Sequence, residues 1–369
     1  MPAGWWLQMQ HKRYSTENKP YANLERNVFR MKLLKKLTAA TLAVAMTAAL
    51  AACGNGDTAS SGAASGSADG SKRIGVIQFA AHPSLDNCYT GVIEGLKEAG
   101  YVEGENLTID FQNAQGEPAN GDLIAKNMVS QKYDMLIGVA TPAVMSLYSS
   151  AKDTDIPVVF TAVSDPLAAG LVQSLEKPGN NVTGSADVLP LEEQVKMIRA
   201  FLPEAKKIGV LYTTSEPNSV SQLAALKEVA KQYSFEVVES GVVNASEVGS
   251  AAASLVAKGV DCINNFTDNN VVNNLPLVLQ AANRGNIPVF GSEIEQVKNG
   301  CLASQGIDYV ALGKETGKMA ASILKGESKA SETPVYVVKD FAPVYNAEVL
   351  DIFGITLPAE YQNAEAVTQ

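Results

Sequence analysis

The stretch "KRIGVIQFAAH" at residues 72–82 has a counterpart, "KKIGVLYTTSE", at residues 206–216. Each copy begins with two basic residues and continues into Ile-Gly-Val and a further branched aliphatic residue. A short run that is apolar at every position is typical of a strand buried on both faces of a parallel sheet. The chain therefore begins a similar strand twice, which predicts two similar units in tandem.

Three further pairs of segments keep the same order and a similar spacing of about 127 to 134 positions. They are "GLKEAG" (95–100) with "ALKEVA" (225–230), "KYDMLIGVATPA" (132–143) with "GVDCINNFTDNN" (259–270), and "IPVVFTAVSDP" (156–166) with "IPVFGSEIEQ" (287–296). Four pairs in register indicate an internal duplication rather than chance.

Short apolar strands alternate with longer amphipathic segments in each half, which is the pattern of an α/β fold. In the first half, the predicted strands cover residues 74–79, 107–112, 135–139 and 158–162. The fold class that follows is α/β, with two doubly wound parallel-sheet lobes joined by a multi-strand hinge. The predicted boundaries are 72–187 plus about 307–334 for lobe 1, and 188–306 plus about 335–362 for lobe 2.

The residues that precede Lys72 carry features of export. "MKLLKKLTAATLAVAMTAALAAC" at residues 31–53 has a basic start and an apolar run of about 16 residues, which is shorter than the roughly 20 that span a bilayer. This pattern predicts a cleaved signal peptide at 31–52. Residues 1–30 are interpreted as translated leader ahead of a start at Met31. The Gly/Ser/Ala-rich residues 53–71 are interpreted as a flexible tether.

The end of the signal, "LAAC" at residues 50–53, resembles the bacterial lipoprotein box. In that family the cysteine is diacylated and becomes the new N-terminus, so Cys53 is the predicted lipidation site. This implies a protein held at the extracytoplasmic face of the cell membrane by a lipid anchor alone. The alternative is a plain secretory signal with an incidental cysteine.

The charge of the chain argues against a nucleic-acid partner, and its cysteines argue against a disulfide framework. Removal of residues 1–52 would leave 21 basic and 37 acidic side chains, a net charge of about −16. Such a surface repels phosphate backbones, so nucleic acid is not expected as a partner. Cys88, Cys262 and Cys301 are odd in number and widely spaced, which argues against a disulfide framework, so buried free thiols are predicted.

Polar side chains follow almost every predicted strand, where ligands collect in doubly wound sheets. The candidate ligand-binding residues in lobe 1 are Gln78, Phe79, His82, Thr141, Pro142, Ala162, Ser164 and Asp165. Those in lobe 2 are Thr214, Ser215, Phe266, Asp268, Asn269, Ser292 and Glu293. The alternative is that these polar residues are ordinary helix caps and that the aromatic residues belong to the core.

Thr141 and Pro142 suit the N-cap and first position of a helix whose free backbone N–H groups would attract an anion. We expect Thr141 and Ser164 to hold a carboxylate, while Asp268 faces an ammonium group from the opposite lobe. A ligand with both groups is an amino acid, and Phe79 and Phe266 would stack against an apolar or aromatic side chain.

Catalytic and metal signatures are not found in the sequence. His82 is the only histidine after residue 52, which disfavours a histidine-based metal site or a histidine-assisted nucleophile. The chain has no G-x-S-x-G or GxxxxGK[ST] motif, and no G-x-G-x-x-G follows either Ile-Gly-Val strand. No cofactor, no metal and no enzymatic activity are therefore expected.

From about residue 72 to 361 the chain resembles the bacterial ABC-transporter substrate-binding lipoproteins of the tryptophan/tyrosine type. The segments that carry the resemblance are "QFAAHPSLD", "AGYVEGENLTIDFQNAQGE", "ATPA", "IPVVFTAVSDP", "GNNVTG", "PNSV", "TDN" and "GIDYVALGKETGKMAASIL". The resemblance implies a type I periplasmic-binding-protein fold with two lobes and three crossovers. It also implies ligand delivery to a separate permease and ATPase.

The function predicted from the sequence is capture of a small zwitterion, an amino acid of aromatic type, by a monomeric solute receptor. Two alternatives remain open at this point: a receptor for a sugar or nucleoside, and a lipid-anchored enzyme on the same scaffold.

Overall fold

The two Ile-Gly-Val strands lie inside two separate parallel sheets. The protein is described here by a computed structural model, which covers residues 71–367. The predicted leader, the signal peptide, the lipidation site at Cys53 and all of the tether except Ser71 lie outside the described residues.

The first sheet has the order β11-β5-β4-β3-β1-β2 and every pair in it is parallel. Its strands are β1 (Lys72–Gln78), β2 (Leu107–Asn113), β3 (Met135–Val139), β4 (Val158–Thr161), β5 (Val182–Ala186) and β11 (Tyr336–Val337). The four strands predicted from the sequence are confirmed to within two residues at each end. The strand β5, "VTGSA", is too rich in small polar residues to show the apolar pattern and was not predicted.

Four helices belong to this lobe: α1 (Pro83–Glu98), α2 (Pro118–Ser130), α3 (Thr141–Ala151) and α10 (Tyr309–Leu324). The strand β3 is buried at every position, as expected for a central parallel strand. Each fully buried Leu, Ile or Val side chain contributes about 1.5–3 kcal/mol to stability.

The second sheet has the order β7-β6-β8-β9 and is also parallel throughout. Its strands are β6 (Lys207–Thr213), β7 (Glu236–Val242), β8 (Cys262–Asn264) and β9 (Val289–Phe290). Its helices are α4 (Leu191–Phe201), α5 (Pro217–Gln232), α6 (Ala245–Ala257), α7 (Asn269–Asn273), α8 (Leu275–Arg284) and α9 (Ile294–Lys298).

The predicted duplication corresponds to a shared strand arrangement. In lobe 1, Ile74 of β1 pairs with Ile109 of β2 and Met135 of β3. In lobe 2, Ile208 of β6 pairs with Val237 of β7 and Cys262 of β8. Each Ile-Gly-Val strand therefore lies between the next two strands of its own lobe. The two-lobed α/β fold predicted from the sequence is confirmed.

The C-terminal segment runs between the two lobes. Helix α10 packs on α1 in lobe 1, and β11 pairs with β5 of the same lobe. A third sheet then joins β10 (Ala303–Gly306), β12 (Ala342–Asn346) and β13 (Glu365–Val367). The helix α11 (Ala347–Phe353) and a 3₁₀ turn (Ala359–Tyr361) lie between β12 and β13.

The contact between α1 and α10 depends on glycine. A Cβ atom at Gly313 would collide with the backbone carbonyl oxygen of Cys88, and one at Gly91 would collide with that of Val310. The two helix backbones can approach this closely only because both positions lack a side chain. This packing fixes the first residue of α10, Tyr309, beside the cleft.

Cys88, Cys262 and Cys301 are free and fully buried, which confirms the prediction made for them. Burial raises the pKa of each thiol well above its usual range. None of the helices described between residues 71 and 367 is long and apolar enough to cross a membrane.

Candidate functional site

The carboxyl ends of the strands in both sheets meet at a cleft that contains a cavity lined by residues of both lobes. We call it the central cavity. Its lining residues are His82, Ser84, Leu85, Ala140, Thr141, Ala162, Ser164, Asp187, Asn218, Thr267, Asn269, Val272, Glu293, Gln296 and Tyr309.

Two alanines hold strained backbone on the lobe 1 wall. Ala140, after β3, has φ 79°, and Ala162, after β4, has φ 55°. A residue other than glycine rarely adopts such angles, and those that do cluster at binding sites. The strain falls on the two loops that bring Thr141 and Ser164 to the cavity.

Thr141 does not occupy the N-cap position that was predicted for it. The cap is Ala140, which has no side chain able to accept a hydrogen bond, and Thr141 is the first residue of α3. Thr141 is 2% exposed and lines the cavity. Because its hydroxyl is not used for capping, both the hydroxyl and the N-terminal N–H groups of α3 can serve a ligand.

Asp187, just after β5, brings a buried carboxylate to the cavity at the first crossover between the lobes. Its Oδ2 accepts a hydrogen bond of 2.8 Å from the Tyr309 hydroxyl. Its Oδ1 is buried and has no hydrogen-bond partner among the described residues. Burial raises the pKa of Asp187 to about 6, although the hydrogen bond from Tyr309 opposes the shift.

Glu293 supplies a second buried carboxylate, from lobe 2. It caps α9 by accepting hydrogen bonds from the backbone N–H groups of Glu295 (2.6 Å) and Gln296 (2.8 Å). Burial raises the pKa of Glu293 to about 7. The cavity wall thus combines two carboxyl groups with no lysine or arginine.

Asp268 does not face the cavity, so its predicted contact with an ammonium group is corrected. Its carboxylate is fully buried in lobe 2 and accepts hydrogen bonds from the Thr213 N–H and hydroxyl, the Ser219 hydroxyl and the Val271 N–H. These four donors use the carboxylate to cap α7 and fasten it to β6. The carboxylates that line the central cavity are Asp187 and Glu293 instead.

Direct hydrogen bonds join the two lobes around the cavity. The Ser164 and Thr267 hydroxyls are 3.3 Å apart, and the Ser221 hydroxyl donates to Asp165 at 2.5 Å. His82 Nε2 lies 3.4 Å from Asn269 Oδ1. The cleft is therefore in a closed arrangement.

The structure brings six of the predicted residues together on the central cavity. They are His82, Thr141, Ala162, Ser164, Asn269 and Glu293. Three more, Phe79, Pro142 and Ser215, line a neighbouring cleft of about 730 Å³ beside Glu216. Asp165 lies at the lobe contact with Ser221.

The other predicted residues have structural contacts. Gln78 donates to the Ala80 carbonyl oxygen (2.8 Å) and Asp86 (2.7 Å). The hydroxyls of Thr214 and Ser292 donate to backbone carbonyl oxygens of Val242 (3.4 Å) and Asn265 (2.5 Å). Phe266 is fully buried in the core, so its predicted stacking on a ligand is also corrected.

Sequence reasoning missed several lining residues. Asp187 follows the strand β5, which has no apolar pattern, so a search of strand ends could not reach it. Tyr309 begins a helix from the C-terminal segment, and only the packing of that helix on α1 brings it to the cavity. In the part of the chain that the structure describes, no group of three or more His, Cys, Asp or Glu is placed to hold a metal ion.

Residues 73–367 match the protein family described as ABC transporter substrate binding protein. The chain is 40% identical over 321 residues to the tyrosine-binding protein of Clostridioides difficile (strain R20291), covering 86% of this chain and 91% of that protein.

Two similar solved structures differ in state: one has a bound ligand, and the other is ligand-free and open. The ABC domain from Streptococcus pneumonia in complex with L-Trp has a TM-score of 0.78 at 36% identity, covering 81% of this chain and 100% of that one. The ligand-free, open structure of a substrate binding protein with adhesive properties from Clostridium difficile has a TM-score of 0.62 at 42% identity, covering 81% and 99%. The lower similarity to the open structure, despite its higher identity, agrees with the closed cleft seen here. The chain belongs to the ABC transporter substrate-binding protein family.

Proposed function

We propose that this protein captures an aromatic amino acid between its two lobes and delivers it to an ABC permease. The names of the tyrosine-binding relative and of the L-Trp complex support the ligand class. The observation that carries the proposal is the charge of the central cavity, which holds two buried carboxyl groups and no lysine or arginine. A ligand that brings a positive charge would compensate them.

The ammonium end of the ligand is assigned to the side of the cavity where acceptors are unpaired. Asp187 Oδ1 and Asn218 Oδ1 are buried without a hydrogen-bond partner among the described residues. An unpaired buried acceptor costs about 1–3 kcal/mol. An ammonium group, which has three N–H donors, would satisfy both acceptors and pair with the charge of Asp187.

The carboxylate end of the ligand is assigned to the N-terminus of α3. The wall here offers the N–H groups of the first turn of α3 and the hydroxyls of Thr141 and Ser164. Backbone N–H groups and the helix dipole favour an anion at this position. This keeps the carboxylate assignment made from the sequence and moves the ammonium from Asp268 to Asp187 and Glu293.

The cellular setting is proposed from the sequence and the family. Export, diacylation at Cys53 and action as a monomer at the extracytoplasmic face would place the cleft next to a permease and its ATPase. A Cys53→Ala variant that still incorporates labelled fatty acid would contradict the anchor.

The ligand assignment is tested by calorimetric titration of the purified protein with L-tyrosine, N-acetyl-L-tyrosine and tyramine. N-acetyl-L-tyrosine lacks the ammonium group and tyramine lacks the carboxylate. We expect L-tyrosine to bind, and each analogue to bind at least about a hundredfold more weakly. N-acetyl-L-tyrosine cannot pair its amine with Asp187, and tyramine has no carboxylate for the N–H groups at the start of α3. Equal binding of all three, or binding of a hexose or nucleoside in place of the amino acid, would refute the proposal. We expect the bound ligand to be recovered unchanged, as a receptor rather than an enzyme requires.

A further inference from the structure

A second cavity adjoins the central cavity, and we call it the side cavity. Its lining residues are Ala81, His82, Pro83, Ser84, Val272, Asn273, Leu275, Pro276, Glu293, Glu295, Gln296 and Asn299. Five of these, His82, Ser84, Val272, Glu293 and Gln296, also line the central cavity. The two spaces therefore lie side by side, and these five residues form the wall that they share.

The side cavity has the chemistry of a pocket for an aromatic side chain. Val272, Leu275 and Pro276 give it an apolar face on lobe 2, and Ala81 and Pro83 give it one on lobe 1. The carboxylate of Glu295 is engaged by Lys298 (2.9 Å) and Asn87 (3.3 Å). The charge of Glu295 is therefore compensated within the protein and does not call for a cationic ligand group.

His82 stands in the shared wall, and its neighbours fix its tautomer. The backbone N–H of Asn269 donates to Glu216 Oε2 (3.2 Å), which makes that oxygen an acceptor. The Asn269 side-chain Nδ2 donates to the same oxygen at 2.7 Å, so Asn269 Oδ1 faces His82. An amide oxygen only accepts, so His82 Nε2 carries the proton and donates it to Asn269.

The other ring nitrogen of His82 is consequently a lone-pair acceptor. Nδ1 is buried and has no hydrogen-bond partner among the described residues. Burial lowers the pKa of His82 to about 4, against the opposing effects of Asn269 and Asp86, so the ring stays neutral near pH 7. The wall between the two cavities thus contains an acceptor without a donor.

We propose that the side cavity receives the side chain of the bound amino acid and that His82 Nδ1 accepts a hydrogen bond from an N–H or O–H group on it. This inference rests on the proposed function and deepens it. It makes His82 a specificity-determining residue that favours tyrosine and tryptophan over phenylalanine. Phenylalanine fills the same apolar space but leaves the acceptor unpaired. A binding site built around a hydrogen bond discriminates against ligands that lack the donor.

Calorimetric titration of the purified protein with L-tyrosine and L-phenylalanine tests the inference. We expect the wild-type protein to bind L-tyrosine at least about tenfold more tightly than L-phenylalanine. In His82→Phe, which keeps the ring but removes the acceptor, the two affinities should agree within about threefold. His82→Gln restores an acceptor oxygen and should recover part of the preference.

Val272→Ala is the matched control, because Val272 lines both cavities and offers no acceptor. It should weaken both amino acids alike and leave their ratio unchanged. A wild-type protein without preference, or a His82→Phe variant that binds both amino acids with the wild-type ratio, would overturn the role of His82 and leave the proposed function standing. If the wild-type protein binds neither these amino acids nor L-tryptophan, the proposed function and this inference both fail.

Discussion

The loops after β3 and β8 occupy equivalent places in the two lobes, yet they use their polar residues in opposite ways. In lobe 1, Ala140 leaves the start of α3 without a side-chain cap, and the Thr141 hydroxyl and the helix N–H groups line the cavity. In lobe 2, Asp268 caps α7 and is enclosed by donors of its own lobe. A polar residue at a strand end is therefore available to a ligand only where the local backbone does not use it.

The largest effect is expected for Asp268→Ala, which tests whether Asp268 stabilises the fold of lobe 2. Its removal would leave the Thr213 N–H, the Ser219 hydroxyl and the Val271 N–H without their buried acceptor. Each buried donor left unpaired costs about 1–3 kcal/mol, so we expect a loss of about 3 kcal/mol or more in the free energy of unfolding, measured by urea denaturation. If the variant keeps its stability but no longer binds the ligand, Asp268 contacts the ligand and the structural role assigned to it is wrong.

Asp187→Asn is expected to have the opposite effect to Asp268→Ala: it should reduce ligand affinity and leave stability unchanged. The Asn side chain keeps an oxygen for the Tyr309 hydroxyl but removes the charge that the ligand ammonium would meet. We expect affinity for L-tyrosine to fall at least about a hundredfold. Urea denaturation of the ligand-free variant should show no loss of stability, because a buried carboxyl group with a raised pKa is itself unfavourable when ionised. A large loss of stability with intact affinity would mean that Asp187 serves the fold and not the ligand.

The raised pKa values of the two cavity carboxyl groups predict that binding depends on pH. Burial raises the pKa of Asp187 to about 6 and that of Glu293 to about 7. Both are increasingly ionised between pH 5 and pH 8, so affinity for the ammonium group should rise about tenfold or more over that range. The measurement is calorimetry in buffers of matched ionic strength. Affinity that is constant or that falls with rising pH would argue against a carboxylate–ammonium contact.

Stability of the ligand-free protein should respond to pH in the opposite direction. A raised folded-state pKa means that the folded protein holds the proton more tightly than the unfolded chain does. The associated stability is fully present below the unfolded pKa and is lost as pH rises through the folded one. From pH 7.5 to 8.5, where His82 is mostly neutral in both states, the loss should come mainly from Glu216 and to a smaller extent from Glu293, because burial raises the pKa of both groups. A melting temperature that increases over this window would contradict the account.

The smallest effect is expected for Thr141→Val. The substitution keeps the shape of the side chain and removes the hydroxyl that we assign to the ligand carboxylate. Affinity for L-tyrosine should fall about fivefold to tenfold, because the α3 N–H groups remain. The matched substitution in lobe 2, Thr213→Val, removes a donor to Asp268 and should reduce stability rather than affinity. If the two variants behave alike, the proposed difference between the lobes is wrong.

Most of the fold could be predicted from the sequence because the patterns that indicate its strands are local. Apolar runs such as that of β3 and the repeated Ile-Gly-Val strand predict buried parallel strands directly. The candidate site was accessible only in part. Thr141, Ser164 and Glu293 directly follow strands or their loops and were predicted, whereas Asp187 and Tyr309 reach the cavity through chain crossovers and the packing of α10 on α1.

The error at Asp268 has a different origin. Its position after β8 is what a search of strand ends selects, but its role depends on which donors surround it. The hydroxyls of Thr213 and Ser219 come from β6 and α5, and no local pattern in the sequence shows that they turn toward Asp268. Tertiary contacts therefore decide the use of a side chain even where its place in the fold is predicted correctly.

A crystal structure of the complex with L-tyrosine tests the central claim most directly. The account predicts the ammonium group within hydrogen-bond distance, about 3 Å, of Asp187 Oδ1, with the carboxylate at the first turn of α3. A ligand bound in the reverse orientation, or bound outside the central cavity, would contradict it.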